Sequence, residues 1–165
     1  MGELRLRPLR AGDETAVRAA HTVMTAEGFE FGLGLDACPV WADYLTSLER
    51  LRAGTQVPAG FVPATFLVAE VAGEIVGRTS VRHELNDWLL REGGHIGYGV
   101  LPAYRGRGHA KEILRQSVVV ARAAGVDRVL VTCDEDNAAS RRVIEACGGR
   151  LETLSGSRRR RYWIG

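Results

Sequence analysis

The sequence predicts an α/β protein in which a mixed β-sheet is covered by helices on both faces. Three observations support this fold class. Some segments alternate apolar and polar residues with the period of a strand, and others repeat apolar residues at helical spacing. The predicted elements follow the order β-α-α-β-β-β-α-β-α-β-β, and neither an internal repeat nor a long linker interrupts them. A sheet between helices is the packing that buries the apolar faces of such a series.

Composition limits the class of protein further. The 165 residues have the size of one compact domain, so we expect a single domain over residues 1–165. Apolar residues make up 45% and charged residues 25%, which is typical of a globular protein and excludes a disordered chain. The formal net charge of +2 does not indicate a nucleic-acid partner.

The start of the sequence lacks the apolar core of a signal peptide, and no run reaches the roughly 20 apolar residues of a membrane span. We therefore expect no membrane partner. Three cysteines are present, an odd number for a secreted chain. These observations predict a cytoplasmic protein with reduced thiols.

The N-terminal part predicts one strand and two helices. Leucines alternate with charged residues over 4–9, which predicts the first strand. Asp13 is placed to be the N-cap of a helix that runs to about residue 25. An irregular glycine-rich segment over 28–38 separates it from a second helix over 39–52.

The remaining elements form a regular series with turn signals between them. The apolar runs 65–71 and 75–82 predict a β-hairpin, and 95–101 predicts a further strand that stops at a proline. Apolar stripes over 106–124 predict the longest helix. The rest of the chain predicts a strand, a helix and two strands, at 126–133, 137–147, 150–154 and 159–164.

The start of the longest helix is the most informative segment. Gly106 and Gly108 lie where a strand ends and the helix begins, so a phosphate could approach the backbone there. The first N–H groups of a helix lack internal partners, and the helix dipole is positive at that end. These residues predict an anion cradle; the alternative is that the two glycines only shape a tight turn.

Two common phosphate motifs do not fit this segment. A Walker loop requires Gly-Lys-Ser/Thr, but His109 and Ala110 follow Gly108. A dinucleotide fingerprint requires a third glycine, and Lys111 stands at its position.

The segment resembles motif A of the GNAT superfamily of acetyl-CoA-dependent N-acetyltransferases. Arg105, Gly108 and Ala110 match its Gln/Arg-x-x-Gly-x-Gly/Ala loop. Asn137 and Ser140 match the family's Asn-x-x-Ser/Ala helix further along the chain. The element order agrees from residue 4 to residue 164.

The resemblance implies a GNAT-like, mostly antiparallel sheet of six to seven strands and acetyl-CoA as the cosubstrate. It further implies that the strand ending at Leu101 separates from the next parallel strand because of a bulge. The pantetheine arm would pair with the backbone of Val100 and Leu101 in that gap, and N–H groups near Tyr98 to Val100 would polarise the thioester carbonyl. The residues assigned to cosubstrate binding in this way are Tyr98, Gly99, Val100, Leu101, Arg105, Gly106, Arg107, Gly108, His109, Ala110, Asn137 and Ser140. Arg141 or Arg142 would reach an outer phosphate.

The sequence departs from the family at the general acid. Many members have a tyrosine seven residues after the asparagine, where this chain has Ile144, which has no proton to donate. Tyr98 is the candidate replacement, and a packed core tyrosine is the alternative reading of that residue.

A general base is also expected, to take a proton from the acceptor ammonium. The candidates are His83, Glu84 and His95, each of which could instead be structural. Strand alternation places His95 on the face opposite to Tyr98, which weakens its case.

The acceptor is expected to be a small-molecule or peptide amine, and a homodimer is left open. Polyamines, amino acids, aminoglycosides and protein N-termini all remain candidate acceptors. The segments expected to bind the amine are the two N-terminal helices and the loops over 26–38, 54–64 and 82–93. Aromatic residues that could line that site are Phe29, Phe31, Trp41, Tyr44 and Trp88, with core packing as the alternative. Carboxylates that would suit a cationic acceptor are Glu27, Glu30, Asp36 and Asp43, which could equally be solvated.

Three other readings are kept as alternatives. A covalent acetyl-cysteine route through Cys133 is disfavoured because no cysteine–histidine pairing is evident. A non-catalytic acyl-CoA sensor or interaction module is the main rival, since Ile144 replaces the usual acid. A nucleotide-phosphate enzyme is the third reading. The histidine and cysteine spacing predicts no metal site.

Overall fold

The computed structural model describes residues 2–152 and 158–165, and the observed elements follow the predicted order. The strands are β1 Arg5–Arg7, β2 Ala64–Val71, β3 Glu74–Arg82, β4 Ile96–Val100, β5 Val129–Asp134, β6 Arg150–Leu151 and β7 Arg159–Ile164. The helices are α1 Glu14–Thr25, α2 Trp41–Ala53, α3 His109–Ala123 and α4 Ala138–Ala146. The strand predicted at 150–154 is observed at its first two residues, and its last two lie outside the described part of the chain.

The strands form two sheets, in the orders β1-β2-β3-β4 and β5-β7-β6, and every pairing within them is antiparallel. The two sheets meet at His95. Its backbone N–H donates to the Leu130 carbonyl at 2.7 Å, and its ring Nδ1 accepts from the Leu130 N–H at 2.9 Å. Beyond this contact β4 and β5 belong to different sheets, so a gap opens between them.

The bulge expected in the strand at 95–101 is not observed. β4 pairs with β3 in unbroken register over all five residues, from Ile96 opposite Val81 to Val100 opposite Gly77. The one register shift between β2 and β3 lies at Ala69/Glu70, away from the gap. The expected gap is therefore present, but β4 diverges from β5 as a regular strand.

Helices cover both faces of the molecule, as predicted. On one face, apolar side chains of α3 and α4 bury Val81 and Ile96 in a core with Leu114, Val118 and Ile144. On the opposite face, α1 and α2 cover β2 in a second core, which contains Val17, Met24, Tyr44, Phe66 and Val68. No helix within the described residues is long and apolar enough to cross a membrane.

Asp13 lies at the predicted N-cap position of α1, but its side chain does not cap the helix. Its carboxylate accepts from the Arg7 guanidinium at 2.8 Å and from the Arg10 backbone N–H at 2.7 Å, and it makes no side-chain hydrogen bond to the first turn of α1. The hydrogen bond from Arg7 lowers the pKa of this carboxyl group. Asp13 therefore ties β1 to the entry of α1 instead of capping that helix.

Candidate active site

The gap beside β4 opens into a cleft of about 640 Å³. Its walls come from the end of α1, from β4, from the loop that leads into α3, and from α4. The residues that line it are Met24, Glu27, Phe29, Tyr98, Gly99, Val100, Tyr104, Arg105, Gly106, Gly108, His109, Ala110, Lys111, Asn137, Ala139, Ser140, Arg142 and Val143.

One end of the cleft is the predicted glycine cradle. Gly106 and Gly108 have φ angles of 78° and 82°, in the left-handed region that favours glycine. A Cβ built on either one meets no atom within 4 Å, so the space in front of them is open. α3 begins at His109, so its first N–H groups have no partner within the helix. This arrangement fits a phosphate group.

Arg105 holds the cradle in place through contacts within the protein. Its Nε donates to the Val100 carbonyl at 3.0 Å, and its Nη2 donates to Glu27 Oε1 at 2.8 Å. The loop is thereby tied both to β4 and to the residues just after α1. The guanidinium of Arg107 lies 5.7 Å from the Tyr104 ring centroid, and Arg107 is not among the residues that line the cleft.

The backbone of β4 presents two N–H groups to the gap. The Leu101 N–H donates to the Val76 carbonyl at 2.8 Å and therefore faces β3. Because successive residues of a strand direct their N–H groups to opposite edges, those of Val100 and Tyr98 face the gap. The N–H of Leu101 is thus unavailable for the pantetheine pairing expected of it.

The Tyr98 hydroxyl is buried and has no hydrogen-bond partner within residues 2–152 and 158–165. Burial raises the pKa of Tyr98 to about 12, and the nearby Ser140 side chain opposes that rise although it does not reach hydrogen-bond geometry with the phenol. The phenol therefore keeps its proton at neutral pH. A buried, unpartnered donor that lines a cleft is suited to bind an atom of a ligand.

The start of α4 supplies the other wall of the cleft. Asn137 Oδ1 accepts from the Ser140 N–H at 3.2 Å and so caps the helix, which leaves the two donors of its amide nitrogen to face a ligand. Ile144, at the position of the family's tyrosine, is fully buried in the core. That position therefore contributes packing in this chain.

The three candidate bases lie outside the lining of the cleft as described. His95 is 6% exposed, and burial lowers its pKa to about 4, so it is neutral while its Nδ1 accepts from Leu130. Burial also lowers the pKa of His83, whose Nε2 lies 2.7 Å from Thr65 Oγ1. Thr79 is the register partner of Tyr98, and His83 comes four residues later, just beyond the end of β3. Four residues of extended chain span about 13 Å, so His83 lies about that far along the strand direction from Tyr98. Glu84 follows His83 in the bend after β3.

The aromatic residues expected around the acceptor divide into two groups. Phe31, Trp41 and Tyr44 are buried in the core between α1, α2 and β2, and Trp88 is exposed. Phe29 alone among the five lines the cleft.

The open glycine loop at the start of α3 and the cleft beside β4 form a site that fits a phosphate-bearing ligand. Residues 3–150 match the family model described as the acetyltransferase (GNAT) domain. The chain therefore belongs to the GNAT acetyltransferase family, whose cosubstrate is acetyl-CoA, as its motifs predicted. No curated protein matches the sequence significantly.

Solved structures share the fold at low sequence identity. RimJ from Mycobacterium smegmatis, in complex with CoA-disulfide, is 22% identical with a TM-score of 0.68, over 98% of this chain and 80% of that one. The acetyltransferase from Agrobacterium tumefaciens str. C58 is 20% identical with a TM-score of 0.64, over 100% and 92%. The microcin C7 self-immunity acetyltransferase MccE, in complex with acetyl-CoA and AMP, is 15% identical with a TM-score of 0.61, over 98% and 92%.

Proposed function

We propose that the protein transfers the acetyl group of acetyl-CoA to a primary amine by direct attack in a ternary complex. The observation that carries this proposal is the cleft itself, which is bordered by a glycine cradle, by the β4 backbone and by the Tyr98 residue. Acetyl-CoA would supply the acetyl group and leave as a thiolate. The acceptor belongs to the class of small-molecule or peptide amines.

The residues proposed to bind the cosubstrate act mainly through their backbone. The N–H groups from Gly106 to Ala110 would hold the diphosphate, because they combine unpaired donors with the positive end of α3. Asn137 and Ser140, on the opposite wall, would contact the pantetheine arm. One of the N–H groups that face the gap, that of Tyr98 or that of Val100, would stabilise negative charge on the thioester carbonyl oxygen, since donors two residues apart on a regular strand cannot share one acceptor atom.

Tyr98 is proposed to assist departure of the thiolate. With a pKa of about 12 its phenol is a much weaker acid than an ordinary thiol, whose pKa is about 8.5. Complete proton transfer from Tyr98 to the thiolate is therefore unfavourable. We assign Tyr98 the role of a hydrogen-bond donor that stabilises the developing thiolate, and solvent completes its protonation.

We propose that the acceptor amine loses its proton to water and that no side chain serves as its base. This proposal is supported by the position of His83 and Glu84 beyond the end of β3, and by the engagement of the His95 ring with Leu130. Catalysis would then depend on positioning of the neutral amine and on the β4 N–H groups.

The test is initial-rate kinetics with a panel of primary amines, followed by release of the CoA thiol. The panel includes polyamines, amino acids, aminoglycosides and peptides with free N-termini. A ternary complex gives intersecting double-reciprocal lines when both substrates are varied. Parallel lines would support the covalent route through Cys133, and CoA binding without turnover for any amine would favour the non-catalytic sensor.

The cysteines support the expected compartment. Cys38, Cys133 and Cys147 are all free thiols, and we propose a cytoplasmic location, where thiols stay reduced.

A further inference from the structure

The Phe29 ring fills space that Gly99 leaves empty. A Cβ built on Gly99 would lie 2.7 Å from Phe29 Cζ, and 3.0 and 3.1 Å from the two Cε atoms. Any side chain at position 99 would displace the ring. Phe29 also lines the cleft together with Tyr98 and Val100. The ring therefore covers β4 between the two residues whose N–H groups face the gap.

Arg78 holds this ring in position. It is the register partner of Gly99 and is only 4% exposed, and its guanidinium lies 4.3 Å from the Phe29 ring centroid. The guanidinium donates to the carbonyls of Glu30 at 2.6 Å, Phe31 at 3.1 Å and Gly97 at 3.0 Å. Arg78 thus joins the two residues after Phe29 to β4.

The next residues of the same segment are anchored as well. His21 Nδ1 accepts from the Gly32 N–H at 2.9 Å, and the Tyr44 hydroxyl donates to the Leu33 carbonyl at 3.0 Å. The backbone of residues 30–33 is therefore bound by three side chains that belong to α1, α2 and β3. This anchoring makes the Phe29 ring a fixed wall of the cleft.

We propose that Phe29 determines the length of the acyl group that the enzyme accepts, favouring acetyl-CoA over longer acyl-CoA donors. This inference rests on the proposed function. A thioester carbonyl bound by one of the N–H groups that face the gap, that of Tyr98 or that of Val100, places its acyl substituent beside Gly99. The phenol side chain of Tyr98 and the ring of Phe29 then bound that space, so a methyl group fits and a longer chain meets the ring. Phe29 is a specificity-determining residue, and Arg78 is its positioning residue.

The test compares acetyl-, propionyl- and butyryl-CoA as donors for the wild type, Phe29→Ala and Phe29→Leu. One methylene in an apolar pocket changes kcat/KM by about 10–200-fold, and we expect a wild-type preference for acetyl-CoA over propionyl-CoA in that range. Phe29→Ala should lower the preference at least about tenfold, and Phe29→Leu by less. Phe61→Ala removes a phenylalanine that is 59% exposed and outside the cleft lining, so it should keep the wild-type ratio.

Calorimetric affinities for the same three thioesters separate this inference from the proposed function. If the wild type turns over no donor, the proposed function fails. The ratio of acetyl-CoA to butyryl-CoA affinity still shows whether the Phe29 ring limits the length of the acyl group. We expect that ratio to fall in both Phe29 variants, with the affinity for CoA itself retained. A folded Phe29→Ala or Phe29→Leu protein with the wild-type donor preference and the wild-type affinity ratio would overturn the inference.

Discussion

Replacement of Gly108 by aspartate tests the glycine cradle with a change of a single side chain. Gly108 is the residue before α3, and its φ of 82° is accessible to aspartate and asparagine more readily than to other side chains. An Asp carboxylate at this N-cap position would accept from the first N–H groups of the helix. It would thereby occupy the donors that the diphosphate needs, while a favourable interaction with the helix dipole offsets part of the backbone strain.

The expected loss of CoA affinity follows from the charge. Two unit charges 4 Å apart interact with about 1 kcal/mol in water and about 4 kcal/mol at an effective dielectric constant of 20. The cradle is open to solvent on one side, so we expect a value between these limits. This range corresponds to a Kd increase of about fivefold to about a thousandfold. The measurement is isothermal titration calorimetry with CoA at two salt concentrations, and the effect should shrink at the higher one.

Gly108→Asn is the matched control, because it has nearly the same shape and the same tolerance of the left-handed conformation without the charge. It should weaken CoA binding much less than Gly108→Asp. Thermal melting of both variants checks that α3 remains folded. If Gly108→Asp binds CoA with the wild-type Kd, the diphosphate does not lie on this helix N-terminus and the placement of the site is refuted.

Three further predictions concern residues around the cleft. Arg105→Ala removes a half-exposed ion pair with Glu27 and a charged hydrogen bond to the Val100 carbonyl. It should therefore lower the free energy of unfolding by about 2–3 kcal/mol and Tm by about 4–12 °C. Glu27→Gln should lower the free energy of unfolding by less than about 1 kcal/mol. Tyr98→Phe should lower kcat by about 10–100-fold with unchanged CoA affinity and no change in the acidic limb of the pH profile; a kcat equal to the wild-type value would exclude its proposed role. The pKa of His95 is about 4 in the folded protein and about 6.5 in the unfolded chain. Its contribution to the free energy of unfolding is therefore complete above pH 6.5 and decreases by up to about 3 kcal/mol as the pH falls to 4. His95→Gln should show a shallower loss of stability over that interval, measured by chemical denaturation, and equal slopes for the two proteins would contradict the assigned pKa.

The order of elements could be predicted from the sequence because strand and helix periods are properties of short segments. The predicted start of the longest helix, α3, was wrong for a local reason. Its apolar stripe suggested a start near residue 106, but α3 begins at His109. The left-handed conformations of Gly106 and Gly108 keep those two residues out of the helix.

The cradle could be predicted as well, since its glycines and the helix start are neighbours in sequence. The contacts that hold it could not. Arg105 and Glu27 are 78 residues apart, and Arg78 reaches carbonyls 47 and 48 residues away, so no spacing rule connects them. Asp13 shows the same limit at close range, because its carboxylate binds Arg7 on β1 where local pattern indicated a helix cap.

The central claim is that this cleft binds acetyl-CoA and passes its acetyl group to an amine. The most direct test measures CoA thiol release by the wild type with acetyl-CoA alone and with each amine of the panel, together with the mass of the amine product. The account predicts release that depends on the amine and yields an acetylated amine in equal amount. Tight CoA binding with no amine-dependent release, or release that leaves every amine unmodified, would contradict it.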